Sequence, residues 1–462
     1  MERKLTRREF LLKVGGAAGV SVIGTALAAC AAPPATAPAP QAPAQAPAKA
    51  TEAPAKAPAA KAAVKIVWGT PWQGNPPFIQ ENMRLFAEAF PDISAEYMPI
   101  ADFTNKIKTM AAAHSLPDVF YLDSAMGPEW AALGAVVPMD DWFKSTLKME
   151  ELGEDFLALS GEFKGKHWML CNAQGPMGFY YNKDAFDEVG LKYPTEAWTW
   201  DDMLAAALKL TKRTGDKVER FGLTVTRFSS FVFQNNGEYL DKDRRKCLLD
   251  QPPAVEALQW VADLYFKHKV APLPADIQLQ PTTFQNGRIA MAWGDGPWSI
   301  GSGGYREAPF KWDVTFVPRG KRQAVINYGS GMGVSSETKN SEQAWKFARF
   351  WLEYQPQLNF HGTWESMPIL KKAIDYQFVG ADRKKVPENY PSFAQAITGP
   401  KKYSIVEPYI PGYFTWLWHH TGSTLYNDVM SLAITGEKKV SETIGPFVKK
   451  VNDYINEQSK NW

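Results

Sequence analysis

The chain has 462 residues; 51 Lys and Arg stand against 49 Asp and Glu, a formal charge of +2, with 45% hydrophobic and 13% aromatic residues. At roughly 100–200 residues per domain this length holds two or three domains with real cores, and the composition excludes whole-chain disorder, collagen and a coiled coil. The near balance of charge argues against nucleic acid as a partner, and three cysteines are too few for a disulfide scaffold.

Three unlike segments lie behind these averages. Residues 1–30 carry Arg3, Lys4, Arg7, Arg8 and Lys13 against Glu2 and Glu9, a net +3, followed by an apolar run from Val14 to Ala29. That run is 16 residues long, short of the ~20 needed to span a bilayer. A charged start, a short apolar stretch and small residues at its end describe an export signal. The arginine pair Arg7-Arg8 within Thr6–Lys13 resembles the twin-arginine address. Leu27-Ala28-Ala29-Cys30 resembles a bacterial lipobox, which implies a lipidated Cys30 at the start of the mature chain. The alternatives are an uncleaved anchor or an ordinary secretory signal with a chance cysteine. Residues 31–63 hold 17 Ala and 8 Pro with no aromatic residue. Such a stretch buries too little surface to fold, and its Ala-Pro steps favour an extended, semi-rigid spacer. It reads as a disordered tether holding a folded body off a membrane. The remaining 399 residues carry −3 and all 17 Trp.

Along the body, strands and helices alternate. Val64–Trp68 is a short β-type run, and Ile79, Met83, Phe86 and Phe90 form one helical face that Pro91 stops. Val119–Leu122 is a second strand. Thr199 caps a helix opening with Trp200-Asp201-Asp202. Val255, Leu258, Ala262 and Tyr265 mark a helix after Pro252-Pro253, and Ser341 caps one bearing Ala344, Ala348 and Trp351. This alternation predicts an α/β architecture.

Catalytic equipment is sparse. The chain has no phosphate-binding P-loop, no H-E-x-x-H helix and no G-x-S-x-G elbow. Cys171 and Cys247 are too few and too far apart for a zinc ribbon, and His419-His420 would diverge by about 100° on a helix. No metal and no cofactor are expected. Asp140-Asp141 and Asp201-Asp202 suggest the paired carboxylates of a glycosidase, but both stand where helices begin and the helix dipole favours acids. Whether Cys171 and Cys247 pair is left open by their spacing. What remains is aromatic content near loops: Trp72 in Thr70–Pro77, Trp298 after Gly294-Asp295-Gly296-Pro297, and Tyr413-Phe414-Thr415-Trp416 after Pro411-Gly412. Aromatic faces match the C–H face of a sugar ring, and they also fill cores. Trp260, Trp345 and Trp351 lie in helical patterns and read as core.

Six stretches occur in the order of one family: Leu116–Tyr121 with Leu133–Asp140; Tyr180–Phe186 with Val189-Gly190-Leu191 and Thr199-Trp200; Asn236–Leu240 with 254–265; Phe284–Met291; Gly296-Pro297-Trp298; and Gly331–Ser335 with Ala344–Ala348. The body resembles the extracellular solute-binding proteins of bacterial ABC importers, in the class that includes the maltose-binding protein. The resemblance implies a two-lobed fold with discontinuous lobes, 64–174 with 330–365 and 175–329 with 366–462, and a ligand held between them. The three crossings fall near Asn172–Gly178, Asn327–Gly333 and His361–Pro368, with Gly175, Gly178, Gly329, Gly331 and Gly333 suited to a hinge. It implies capture of a mono- or oligosaccharide, delivery to permease subunits, no catalysis, and a monomer anchored by Cys30 on the outer face of the cytoplasmic membrane, in the periplasm or at the cell surface. The implied ligand contacts are Trp298 as a stacking ring, Tyr413 or Trp416 as a second, Asp123 and Ser124 after the second strand, Trp72 and Gln73 in the first strand–helix loop, Asp295, and Arg227 with Phe228. Trp72 and Gln73 stand where the maltose-binding protein has charged residues, so the sugar does not carry over. The same fold binding a polyol phosphate, peptide or polyamine, and an exported carbohydrate-active enzyme, stay open as alternatives.

Overall fold

In a computed structural model of the chain, residues 63–301, 303–362, 366–374, 403–419 and 422–461 are described. The export signal, Arg7, Arg8, Cys30 and the spacer up to residue 62 lie outside them.

The first run, β1 (Val64–Thr70), leads into helix α1 (Pro77–Ala89), which opens with proline in its first turn, where a missing N–H costs nothing. Phe78, Ile79, Asn82 and Phe86 bury one face of α1. The chain returns as β2 (Ile93–Pro99), crosses through α2 (Phe103–Ala112) and descends as β3 (Val119–Asp123). Both β2 and β3 run parallel to β1. Along β3 the side chains alternate between two cores: Val119 joins Ile66, Trp68 and Phe86 on one face, and Phe120 and Leu122 join Ile107 and Trp130 on the other.

This sheet is completed by segments from far along the chain. Strand β4 (Leu170–Pro176) leads, after Met177 alone, into β5 (Gly178–Asn182) of a second sheet. Helix α3 (Trp200–Leu210) begins with the predicted Thr199 cap, reciprocated by Asp202. Strand β6 (Thr224–Val225), helices α4 (Ser229–Gln234) and α5 (Pro252–Tyr265), and strands β7 (Met291–Asp295) and β8 (Trp312–Thr315) follow. Then β9 (Val325–Val334) runs antiparallel between β3 and β4. Helices α6 (Ser341–Phe350) and α7 (Tyr354–His361) pack on the first sheet, and β10 (Met367–Pro368) joins its edge. The cap of α6 is Asn340 rather than Ser341, which is already the first helical residue. Strand β11 (Ser404–Ile405) pairs with the start of β9, and α8 (Val440–Gln458) closes the described chain. The first sheet has the order β10-β4-β9-β3-β1-β2 with β11 beside β9, and the second the order β6-β7-β5-β8. A core of its own surrounds the second sheet, with Phe179, Tyr181, Phe231, Val261 and Trp293 among its members.

The crossings differ in part from the expectation. The first falls at Pro176–Gly178, where the Met177 amide donates to the Ile326 carbonyl at 2.9 Å. In the second, Asn327–Gly333 is already strand, paired to β4 and β3. At the third, Met367 and Pro368 pair with Gln174 and Ala173, and Ile369, Leu370 and Ala373 join the first core. Met367 and Ile374 belong to the core around the second sheet, so the segment 366–374 places side chains in both lobes. None of the five hinge glycines has a positive φ. At Gly331 and Gly175 the requirement is close approach: a Cβ on Gly331 would stand 1.9 Å from the Leu170 carbonyl oxygen, and one on Gly175 2.7 Å from the Trp298 ring. Cys171 and Cys247 are buried free thiols, the first in the first sheet and the second against the core of the other lobe.

Candidate functional site

The two sheets meet along β9 and the Pro176–Gly178 crossing, and the site is built on the loops facing that seam. From the first lobe comes the turn after β1. Trp72 stands edge-on to Tyr121 at 5.3 Å, Phe360 at 5.5 Å and Phe78 at 5.9 Å, and its carbonyl accepts the Tyr97 hydroxyl at 2.5 Å. These contacts fix a half-buried ring on the rim of an aromatic cluster. Gln73 beside it is exposed and donates to the Pro71 carbonyl. At the end of β3, Asp123 accepts the Tyr121 hydroxyl at 2.8 Å. Burial pushes its carboxyl up to about 6, against the Tyr121 bond and the Arg227 charge. Ser124 is 1% exposed and gives its hydroxyl to the carbonyls of Leu159 at 2.6 Å and Gly329 at 3.0 Å. Its place is to fasten β9 to the first lobe.

The second lobe supplies the opposing wall. The turn after β6 is tied to β7: Thr226 donates to the Trp293 carbonyl through its amide and its hydroxyl, and Arg227 Nη1 donates to the Gly294 carbonyl at 3.0 Å. Gly294 has φ +83°, and a Cβ there would meet Arg227 at 3.1 Å, so glycine permits this approach. The guanidinium lies between two rings, 4.9 Å from the Trp298 centroid and 5.4 Å from that of Tyr328. Trp298 sits on a single 3-10 turn, Pro297–Ser299, with its ring edge against the glycine backbone at 175 and 296. A side chain at either glycine would push the ring out of place. Asp295 is 7% exposed and accepts the Tyr305 hydroxyl; burial raises its pKa, opposed by Tyr305 and Arg227.

Of the predicted contacts, Trp72 and Asp123 meet through Tyr121 on the first lobe and Arg227 and Trp298 meet on the second, with the Arg227 charge acting on Asp123 and Asp295. Phe228 is buried, 6.2 Å from the His419 ring. Tyr413 is 1% exposed and packs edge-on to Tyr409 at 4.9 Å, while Trp416 lies on Tyr454 of α8 at 5.2 Å. The ring from this segment that reaches the seam is Trp418, 5.6 Å from Tyr328 and 4.7 Å from Phe414. Tyr121, Tyr328 and Trp418 are not among the contacts the sequence suggests. Trp418 has a visible signal as the last ring in a run of aromatics, but a one-turn helix over Tyr413–Trp416 decides which ring faces inward. Glu407, equally absent from the expectation, is 3% exposed between β11 and Tyr409, and burial raises its pKa against Ser229, Tyr328, Tyr413 and Arg227. Among the described residues, no group of three His, Cys, Asp or Glu side chains could hold a metal ion. The arrangement offers ring faces, hydroxyls, carboxylates and one guanidinium between two lobes, a set suited to holding a polar molecule with apolar faces.

The sequence profile of the bacterial extracellular solute-binding proteins matches residues 86–389, about two thirds of the chain, and the chain belongs to this family. A binding protein of Brucella abortus (strain 2308) is 26% identical over 324 residues, 66% of this chain and 76% of its own length. The maltotriose-binding protein of Pyrococcus abyssi is 24% identical over 300 residues, 62% of each chain. Among solved structures, an ABC substrate-binding protein from Listeria monocytogenes in complex with cycloalternan superposes with a TM-score of 0.72 at 24% identity, covering 86% of this chain and 99% of that one. A maltose-bound T. maritima protein gives 0.66 at 22% identity, over 85% of this chain and all of that one. The chain therefore shares the two-lobed binding-protein fold of these solved structures.

Proposed function

We propose that this chain captures a mono- or oligosaccharide between its lobes outside the cytoplasmic membrane and delivers it to the permease of an ABC importer. The observation that carries this reading is Arg227, held between the rings of Trp298 and Tyr328, whose charge acts both on Asp295 and on Asp123, where Tyr121 and the Trp72 ring stand on the first lobe. Ring faces stack on sugar C–H surfaces, and carboxylates and a guanidinium pair with hydroxyls. The maltotriose-binding and arabinooligosaccharide-binding relatives, and neighbours solved with cycloalternan, maltose and mannobiose, support a carbohydrate as the solute. The first lobe, on the larger sheet, and the second, on the four-stranded sheet, close around the ligand by turning at Pro176–Gly178 and the start of β9. A closed state gains contacts from both walls at once, which is how a ligand shifts the population toward it. The twin-arginine-like leader, Cys30 and the Ala/Pro spacer support a lipid-anchored, exported receptor.

A carbohydrate panel read by tryptophan fluorescence and thermal shift tests this, since a ligand that binds the folded state raises apparent stability by mass action. A saturable change with at least one sugar, and no turnover of it, is expected. Trp298→Ala should weaken that binding by roughly 1–3 kcal/mol, the scale of one stacked ring. Unchanged affinity in the variant would refute the placement of the site, and silence toward every sugar would refute the carbohydrate reading.

A further inference from the structure

Trp298 is held from two directions, and both lead to the strands that join the lobes. Its ring edge lies against backbone: a Cβ on Gly175 would stand 2.7 Å from the ring, and one on Gly296 closer still. Over its face lies the Arg227 guanidinium, 4.9 Å from the centroid, with Tyr328 as the second ring of the stack at 5.4 Å. Gly175 and Tyr328 are register partners, one near the end of β4 and the other near the start of β9. The indole and the guanidinium together therefore bear on one point of the hinge. The guanidinium has its own anchor. In β7 the register slips between Trp293 and Asp295, and the Gly294 carbonyl inside that irregularity accepts Arg227 Nη1 at 3.0 Å. An irregularity of this kind re-aims a group out of the ladder.

A guanidinium is a flat plate whose faces stack on rings while its rim donates hydrogen bonds; a lysine ammonium carries the charge without the faces. An indole released from such a stack gains rotational freedom, and a solute that binds it must then order it. We infer that Arg227 is a positioning residue: stacked between Trp298 and Tyr328, it fixes the Trp298 ring against the strands that join the lobes, and its main effect on the solute runs through that ring. The inference rests on the carbohydrate reading above, in which Trp298 is the stacking ring, and adds what sets the ring in place.

The test uses the full chain and the tightest binder of a panel holding maltose, maltotriose, mannobiose and arabinooligosaccharides, titrated by calorimetry, with a thermal melt of every variant. Arg227→Lys keeps the charge and a donor for a hydroxyl but loses the plate, and it should weaken binding about five-fold or more. In a chain already carrying Trp298→Ala the same change should cost about two-fold or less, because the ring through which it acts is gone. Gly175→Ala presses on the ring from the strand side and leaves Arg227 in place. Its loss of affinity should shrink in the Trp298→Ala background in the same way, and it carries the test if Arg227→Lys melts too low to titrate. Binding by Arg227→Lys within about two-fold of the unaltered chain would overturn the inference, since charge alone would then suffice. Losses that multiply in the double variant would also overturn it and give Arg227 a contact of its own with the solute. Both outcomes leave the carbohydrate reading standing. Unchanged affinity in Trp298→Ala alone would refute the placement of the site and this inference together. If no sugar of the panel binds the unaltered chain, the carbohydrate reading falls and this inference falls with it.

Discussion

His361, at the end of α7, is fully buried and illustrates how one residue ties the first lobe to solution pH. Its ring stands between the Ser366 hydroxyl at 2.9 Å from Nδ1 and the Asn172 carbonyl at 3.3 Å from Nε2. Burial brings its pKa down to about 3, against the pull of those two partners. Above about pH 6.5 both folded and unfolded chains hold it neutral, so its full contribution to stability is present. As pH falls below that value the unfolded chain takes up a proton that the folded one refuses, and stability is lost toward pH 3. By pH 5 the loss is about 2 kcal/mol from this group. Denaturant titrations at pH 7 and 5 should show it, and His361→Gln should flatten that difference; an equal slope in the variant would disprove the assignment. Residue roles are legible in part. Trp298 stands out through its Gly-Pro-Trp neighbourhood, whereas Ser124 looks like a ligand contact and spends its hydroxyl on Leu159 and Gly329. Nothing in the local sequence distinguishes a serine aimed at a cleft from one aimed at a carbonyl distant in the chain.

At the scale of elements, period and capping are good guides. The face Ile79, Met83, Phe86 lies on α1, and the Thr199 cap closes reciprocally with Asp202. Strand β9 shows where such signals fail. Its Gly329, Gly331 and Gly333 look like flexible joints in sequence, yet they lie in a central strand paired on both sides. The reason is space: Gly331 faces the Leu170 carbonyl across a register shift, with no room for a Cβ. Gly331→Ala should therefore cost roughly 1–3 kcal/mol, seen as a lowered Tm, because backbone atoms cannot move aside as side chains do. Gly445 in α8 has open space where a methyl group would stand, with nothing within 4 Å, so Gly445→Ala should be neutral or raise stability by up to ~1 kcal/mol. Equal effects at both glycines would defeat this account.

For the molecule as a whole, the net charge of +2 conceals a basic stretch over residues 1–63 ahead of a body of −3. No helix among the described residues is long and apolar enough to cross a membrane. Membrane attachment through Cys30 accordingly predicts that Cys30→Ala moves the protein from the membrane to the soluble fraction. Retention in the membrane would contradict the lipid anchor. The body is also held together across its lobes: Arg244 of the second lobe donates to the Glu162 carbonyl and to its carboxylate, and to the Tyr409 carbonyl.

By itself, the sequence determined the α/β class, the order of segments and the tryptophan at the end of a Gly-Pro step, because periodicity, capping and composition are local properties. Only the tertiary structure decided that Trp418 reaches Tyr328 while Trp416 lies on Tyr454, that residues 367–374 place side chains in both cores, and that Arg227 lies between Trp298 and Tyr328. Those outcomes depend on contacts between segments that are in places more than a hundred residues apart, such as 367–368 with β4 and Tyr328 of β9 with Trp418 and Arg227. Whether such residues meet is fixed by how the two sheets pack, and no short window of sequence carries that information.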